Sequence, residues 1–170
     1  MNKMETDKLL RLVAQGDNHA FEELYERTRR GVFAFLYTYF HNYADTEDAM
    51  QTVYLKVKTG ISSYRVGTNG RAWLLQIAKN HALNELKKRK ETLSIHEIEI
   101  PVHTQFGEGS ITETMQRVLD EEEQRIVTLH VLWGYKHREI AEIMRLQIGT
   151  VTSKYKRAIA KMKNALKEEM

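Results

Sequence analysis

The 170-residue chain contains one proline, Pro101. Proline lacks an amide donor and its ring clashes with the preceding helical turn, so a chain with a single proline leaves long helices uninterrupted. Apolar residues recur along most of this chain at three- and four-residue steps, the period of a helix with one buried face. Together these features predict an all-α fold whose main break falls around Pro101.

The pattern divides into elements. A first helix is predicted over 5–15, with Leu9, Leu10, Leu12 and Val13 apolar and Gly16 and Asp17 ending it. A second, over 19–40, carries Phe21, Leu24, Thr28, Val32, Phe35, Leu36 and Tyr39, and is broken by Asn42 and Tyr43. Asp45 is the predicted N-cap of a third helix, with Asp48 completing an approximate capping box. That helix turns Ala49, Met50, Val53 and Val57 inward, runs to about Lys58 and stops at Gly60. Residues 61–70 read as a polar loop, and 71–89 as a helix with Leu74, Ala78, Ala82 and Leu86 on one face.

Residues 91–112 lose the helical period. SIHEIEIPV alternates, and Pro101, Gly107 and Gly109 follow, so a flexible extended linker is expected, with a short strand as the alternative. Further helices are predicted near 113–118, 121–133, 136–144 and 148–167. The expected architecture is therefore two small helical domains, 1–90 and 113–170, joined by the linker 91–112. A helical module of ~60–90 residues buries only a marginal core of its own.

Composition narrows the function. Hydrophobic residues make up 42% and charged residues 29%, which describes a globular chain. The absence of cysteine excludes disulfides, thiol catalysis and cysteine-based zinc sites, and fits a reducing compartment. MNKMETDKLL has no apolar signal core, and no apolar run approaches the ~20 residues that span a bilayer. A cytoplasmic protein with no direct membrane insertion is expected. The net charge of +3 conceals a segregation of acids and bases along the chain.

From Tyr135 to Lys167 the pattern is that of a helix-turn-helix. Ile140, Ala141, Ile143 and Met144 give one helix an apolar side, Arg145-Leu146-Gln147 forms the turn, and Val151, Tyr155, Ile159, Met162 and Leu166 stripe the next helix. No acid occurs between Gln147 and Lys167, while Lys154, Lys156, Arg157, Lys161, Lys163 and Lys167 supply cations. A helix in a major groove needs cations for phosphates and short polar groups near its N-terminus for base edges. Thr150, Thr152, Ser153 and Lys154 meet the second need, and Arg145 in the turn is within reach of phosphate. The alternative is a solvated basic helix in an unrelated bundle.

The first domain has two faces. Asp45, Glu47 and Asp48 cluster at a helix start, where the dipole favours acids. They read as simple dipole compensation, as a weak metal site without histidine partners, or as a docking surface for a basic protein that Gln51 and Tyr54 extend. Tyr64, Arg65, Asn69, Arg71, Trp73, Lys79, Asn80, Asn84, Lys87 and Lys88 mix cations, aromatics and amides, a combination suited to single-stranded nucleic acid. Trp73 reads equally well as a core residue at the head of its helix.

ADTEDAMQTVYLKV (44–57) followed by RAWLLQIAKNHALNELKKRK (71–90) resembles region 2 of the extracytoplasmic-function sigma factors, and REIAEIMRLQIGTVTSKYKRAIAKMKNAL (138–166) resembles their region 4. The resemblance covers nearly the whole chain and implies a transcription initiation factor without catalytic activity, cofactor or small-molecule substrate. Its implied partners are the β′ and β subunits of core RNA polymerase, promoter DNA and an anti-sigma factor. Asp45, Glu47, Asp48 and Gln51 would dock the β′ coiled coil, and residues 61–73 would capture the −10 element as single strands. The basic helix 74–90 would follow the DNA backbone, and the second helix of the C-terminal motif would read the −35 element as duplex. The linker, with Glu97, Glu99 and Glu108, would thread polymerase channels. The chain departs from the family pattern at Thr52, where an acid is common, at Lys58, where Trp is customary, at Arg145 in place of a turn glycine, and at Asp120 in place of proline.

Two other readings compete. One is a helix-turn-helix regulator that never docks on polymerase. The other is a metal-dependent nuclease using the same carboxylates, for which no second carboxylate or histidine set stands at workable spacing.

Overall fold

The computed structural model describes residues 3–93 and 111–168, which fall into two compact units treated separately. The described residues hold eight α-helices, one 3-10 turn and no strand. The linker expected at 91–112 keeps α-helix at both ends, and its extended part, the strand alternative, Pro101 and Glu97, Glu99 and Glu108 lie outside the described residues.

The first unit comprises α1 (Lys3–Ala14), α2 (Asn18–Phe40), α3 (Tyr43–Thr59), a 3-10 turn (Ile61–Ser63) and α4 (Gly70–Leu93). Its core forms where the helical stripes meet: Leu10, Leu24, Val32, Leu36, Val53, Val57, Leu74, Ala78 and Ala82 are all fully buried. The helix ends obey local chemistry. Asp17 Oδ1 accepts from the Ala20 amide at 3.0 Å and starts α2. His41 ends α2 in the left-handed region at φ 50°, a conformation of modest cost for a non-glycine residue. Asn42 then starts α3 immediately, its Oδ1 accepting from the Asp45 amide at 3.0 Å.

That start corrects the expectation of an Asp45 cap. Asn42 has an extended backbone and a short acceptor aimed at the first-turn amides, so it caps, and Tyr43 opens the helix rather than breaking it. The carboxylate of Asp45 is thereby released for another partner.

The second unit comprises α5 (Ile111–Val118), α6 (Glu121–Val131), α7 (His137–Met144) and α8 (Ile148–Glu168). Leu119, Val127, Ala158 and Met162 form one cluster, with Met115, Val118 and Tyr155 packed on it. Ile126, Leu129, Ile140 and Val151 are fully buried. Asp120 caps α6 through a capping box: its Oδ1 accepts from the Glu123 amide at 2.8 Å, and Glu123 Oε2 accepts from the Asp120 amide at 3.2 Å.

The α7–α8 turn is Arg145 to Gln147, as the sequence predicts. Arg145 is left-handed at φ 57°, and the Leu146 amide donates to the Ala141 carbonyl at 2.9 Å, so the turn closes without glycine.

Candidate nucleic-acid interface and acidic face

The acidic cluster of α3 splits into three fates. Asp45 Oδ2 accepts from Arg89 Nη1 at 2.8 Å, and Arg89 also lies over the Phe40 ring, 5.4 Å from its centroid. The hydrogen bond to Asp45 raises the guanidinium's already high pKa. Glu47 accepts from the Tyr43 hydroxyl, which holds that phenol above its ordinary range. Asp48 and Gln51 are exposed.

Tyr54 does not extend this surface. It is 4% exposed, with its Oη 2.6 Å from Thr28 Oγ1, and Phe21 and Tyr25 pack edge-on against its ring. Burial pushes its phenol well up. The helical step from Gln51 to Tyr54 carries the side chain past the surface stripe and onto the α2 side. The surface residue that the sequence reading left out is Leu55, 62% exposed and one turn beyond Gln51. Asp48, Gln51 and Leu55 fall at i, i+3 and i+7, so an acid, an amide and an apolar group share one outward stripe.

The predicted single-strand surface separates into frame and face. Tyr64 is 7% exposed, donates its hydroxyl to Asp7 Oδ1, and packs its ring 5.1 Å from that of Trp73. Burial first, and then the bond to Asp7, push its phenol up to about 12. Tyr64 is thus a core anchor and not an open stacking platform, because the loop must close on α1. Asn69 is half-buried and caps α4, its Oδ1 accepting from the Ala72 amide at 3.3 Å. Trp73 is only partly buried, between the core and surface alternatives of the sequence reading.

Arg65 is exposed, and so are Asn80, Asn84, Lys87 and Lys88 along α4, while Arg71 and Lys79 are half-buried. Asn80 Oδ1 accepts from Gln76 Nε2 at 2.7 Å, which adds Gln76 to this face. Lys88 donates to Glu85 at 3.0 Å, which depresses the Glu85 pKa, and Lys87 lies 3.9 Å from Glu91. Such exposed pairs are weakly held and open readily to a polyanion.

The six cations of α8 also divide. Lys154, at i, i+3 and i+7 with Arg157 and Lys161, faces α6. Its Nζ is 3.1 Å from Glu122 and 3.5 Å from Asp120, and the side chain is 19% exposed. The hydrogen bond to Glu122 raises the Lys154 pKa. Burial opposes ionisation of Asp120, but the Glu123 amide and Lys154 outweigh it and hold that carboxyl low. Lys161 donates to the buried Glu123 at 2.7 Å, with Arg157 Nε 3.7 Å from the same carboxylate. Lys154 is therefore a strut within the unit rather than the free base-reading group predicted, because the four acids 120–123 sit on the neighbouring helix.

What remains outward at the start of α8 is compact. Arg145, Ser153, Lys156 and Arg157 are exposed, and Thr150 and Thr152 are half-buried. Thr152 Oγ1 lies 3.2 Å from His137 Nδ1, and His137 packs its ring on those of His130 and Tyr155. Burial, with His130 and Lys156 adding to it, keeps the His137 pKa low. Ile148, 53% exposed at the helix start, is an apolar surface residue outside the predicted set. Its signal was an apolar side chain directly after the turn of the motif, one position before Gly149.

No helix among the described residues is long and apolar enough to cross a membrane. The described residues contain no group of three or more potential metal ligands.

Comparison with known proteins completes the assignment. The family "Sigma-70 region 2" matches residues 24–92, and "Sigma-70, region 4" matches residues 112–162. The chain is 23% identical to the RNA polymerase sigma-H factor of Pseudomonas aeruginosa over 98% of this chain and 96% of the relative. It is 28% identical to the ECF RNA polymerase sigma-E factor of Haemophilus influenzae over the full length of both. The fold is shared with the sigma factor RpoE of Bartonella quintana, solved in complex with the anti-sigma factor NepR, at a TM-score of 0.69 and 20% identity over 86% of this chain and 96% of that one. With both regions present in order and full-length relatives of one kind, the chain belongs to the sigma-70 family as an extracytoplasmic-function sigma factor, the class of subunit that binds core RNA polymerase and directs promoter-specific initiation.

Proposed function

We propose that this chain divides its work among three surfaces. The Asp48–Gln51–Leu55 stripe of α3 docks on a basic coiled coil of the polymerase β′ subunit, with the β subunit contacting the second unit. The 64–69 loop and the outer face of α4, from Trp73 through Gln76, Asn80 and Asn84 to Lys87, hold the −10 element as single strands. The start of α8, from Arg145 through Ser153 and Lys156 to Arg157, reads the −35 element as duplex.

The observation that carries this reading is the orientation of the surviving cations and amides. The exposed amides and weakly paired lysines of α4 form a stripe suited to unpaired bases, and Arg145, Ser153 and Lys156 are exposed around the start of α8, while Lys154, Arg157 and Lys161 lean on the acids of α6. The site is the cytoplasm, where polymerase works, and an anti-sigma factor is the expected regulatory partner, as one is for the Bartonella quintana neighbour.

The test is reconstitution with bacterial core RNA polymerase on the promoter upstream of the chain's own gene. Co-elution with core and promoter-specific transcripts are expected. Binding of DNA without binding of core would replace this reading with that of a stand-alone regulator.

A further inference from the structure

α1 lies outside both motif stretches that carry the family resemblance, and Asp7 lies outside the residues matched by the region 2 family. Yet Asp7 makes the contacts that shape the loop ahead of α4. Its Oδ1 accepts from the Tyr64 hydroxyl and from the Gly67 amide at 3.0 Å. Those donors are 57 and 60 residues away in sequence. One carboxylate oxygen thus ties the first and fourth positions of the loop together.

The loop has little else to hold it. Arg65, Val66, Gly67 and Thr68 are exposed. Within the loop, the Thr68 amide and hydroxyl donate to the Arg65 carbonyl at 3.3 and 2.7 Å. Gly67 stands at φ +85°, a left-handed conformation that a side chain would strain. The loop's far end is fitted tightly to α1: a Cβ on Gly70 would come within 2.7 Å of Leu10 Cδ1 and 3.2 Å of Tyr64 Oη. Asp7 supplies the polar lock between these contacts, at the edge of an open cleft whose walls are α1 and Gly67–Thr68.

We infer that Asp7 is a positioning residue for capture of the unpaired −10 strand: it sets the path of residues 64–68, and thereby the placement of Arg65 and of the partly exposed Trp73 ring that Tyr64 backs from the core. This rests on the −10 assignment proposed above. Removing the carboxylate leaves the buried Tyr64 hydroxyl and the Gly67 amide without their common acceptor, so the loop loses its register while the helical core persists.

The experiment uses the full chain reconstituted with core polymerase on the promoter upstream of its own gene. Four proteins are compared: wild type, Asp7→Ala, Asp7→Asn, which keeps an Oδ1 acceptor, and Leu9→Ala, a packing control on the same helix. Duplex binding, strand opening by permanganate reactivity, and thermal unfolding are measured for each. Asp7→Ala is expected to slow opening by about tenfold or more, the scale of one lost base-stacking contact, with duplex binding close to wild type. Asp7→Asn is expected to recover most of the loss. Leu9→Ala is expected to lower the melting temperature without a comparable opening defect. Opening by Asp7→Ala at the wild-type rate overturns the inference, as does an opening defect that Leu9→Ala reproduces at equal loss of stability. A wild-type protein that binds the promoter but never opens it removes the −10 assignment itself, and the inference with it.

Discussion

Asp45 Oδ2 receives a hydrogen bond from Arg89 Nη1 at 2.8 Å, which clips the first turn of α3 to the last part of α4 across 44 residues of sequence. Both side chains are about one-third exposed, 32% and 36%, so the pair is screened but not free. Its two members come from the acidic and the basic faces that the sequence presents as separate surfaces.

This pairing divides the acidic cluster into a strut and a contact. Asp45→Ala is expected to cost ~1 kcal/mol of stability, near the upper end for an exposed pair, while leaving core affinity close to wild type. Asp48→Arg is expected to do the reverse, weakening core binding by about tenfold or more through like-charge contact while sparing the fold. Thermal unfolding and a fluorescence titration with core polymerase distinguish the two. Equal loss of core binding for both variants would refute the division.

The α8 lysines provide a second contrast. Lys156→Ala is expected to reduce the slope of log affinity against log salt by about 1 on duplex promoter DNA, the loss of one phosphate contact. Lys154→Ala is expected to leave that slope unchanged and to cost ~1 kcal/mol of stability in the second unit, since its ammonium serves Glu122 and Asp120. A reduced slope for Lys154→Ala would mean that its pairs open on DNA.

Tyr54 tests core against surface. Tyr54→Phe removes only the hydroxyl 2.6 Å from Thr28 Oγ1, and Thr28 keeps the Leu24 carbonyl as a partner at 2.5 Å. The expected cost is ~1 kcal/mol with unchanged core affinity. Measurable loss of core binding at full stability would return Tyr54 to the docking surface.

His81 makes stability depend on pH. It is 7% exposed and accepts from Lys56 Nζ at its Nδ1, 3.3 Å away. Burial lowers its pKa, and Lys56 and Lys88 lower it further while Glu85 opposes them. The unfolded chain therefore takes up this proton at a higher pH than the folded one. The folded state is at full strength above the ordinary histidine range, and stability falls as pH drops through and below about 6.5. His81→Gln is expected to flatten that part of the profile in denaturant titrations between neutral and mildly acidic pH. A profile identical to wild type would assign the dependence elsewhere.

The amino-acid order alone determined the helices, because a period of three to four apolar residues and near-absence of proline admit little else. It also determined the helix-turn-helix, since Arg145-Leu146-Gln147 interrupts that period at the right place, and the inward faces led by Val53, Leu74 and Val151. Tertiary structure decided which polar groups remain available. Asp45 is joined to Arg89, Tyr64 to Asp7 and Lys154 to Asp120 and Glu122, and each partner lies dozens of residues away or on another helix. Helical periodicity fixes the direction in which a side chain leaves its own axis, but a charge is committed or free according to what the neighbouring helix presents to it. The same geometry withdrew Tyr54 from the surface and brought Leu55 and Ile148 onto it, because burial depends on where a second helix packs and not on the residue's own chemistry.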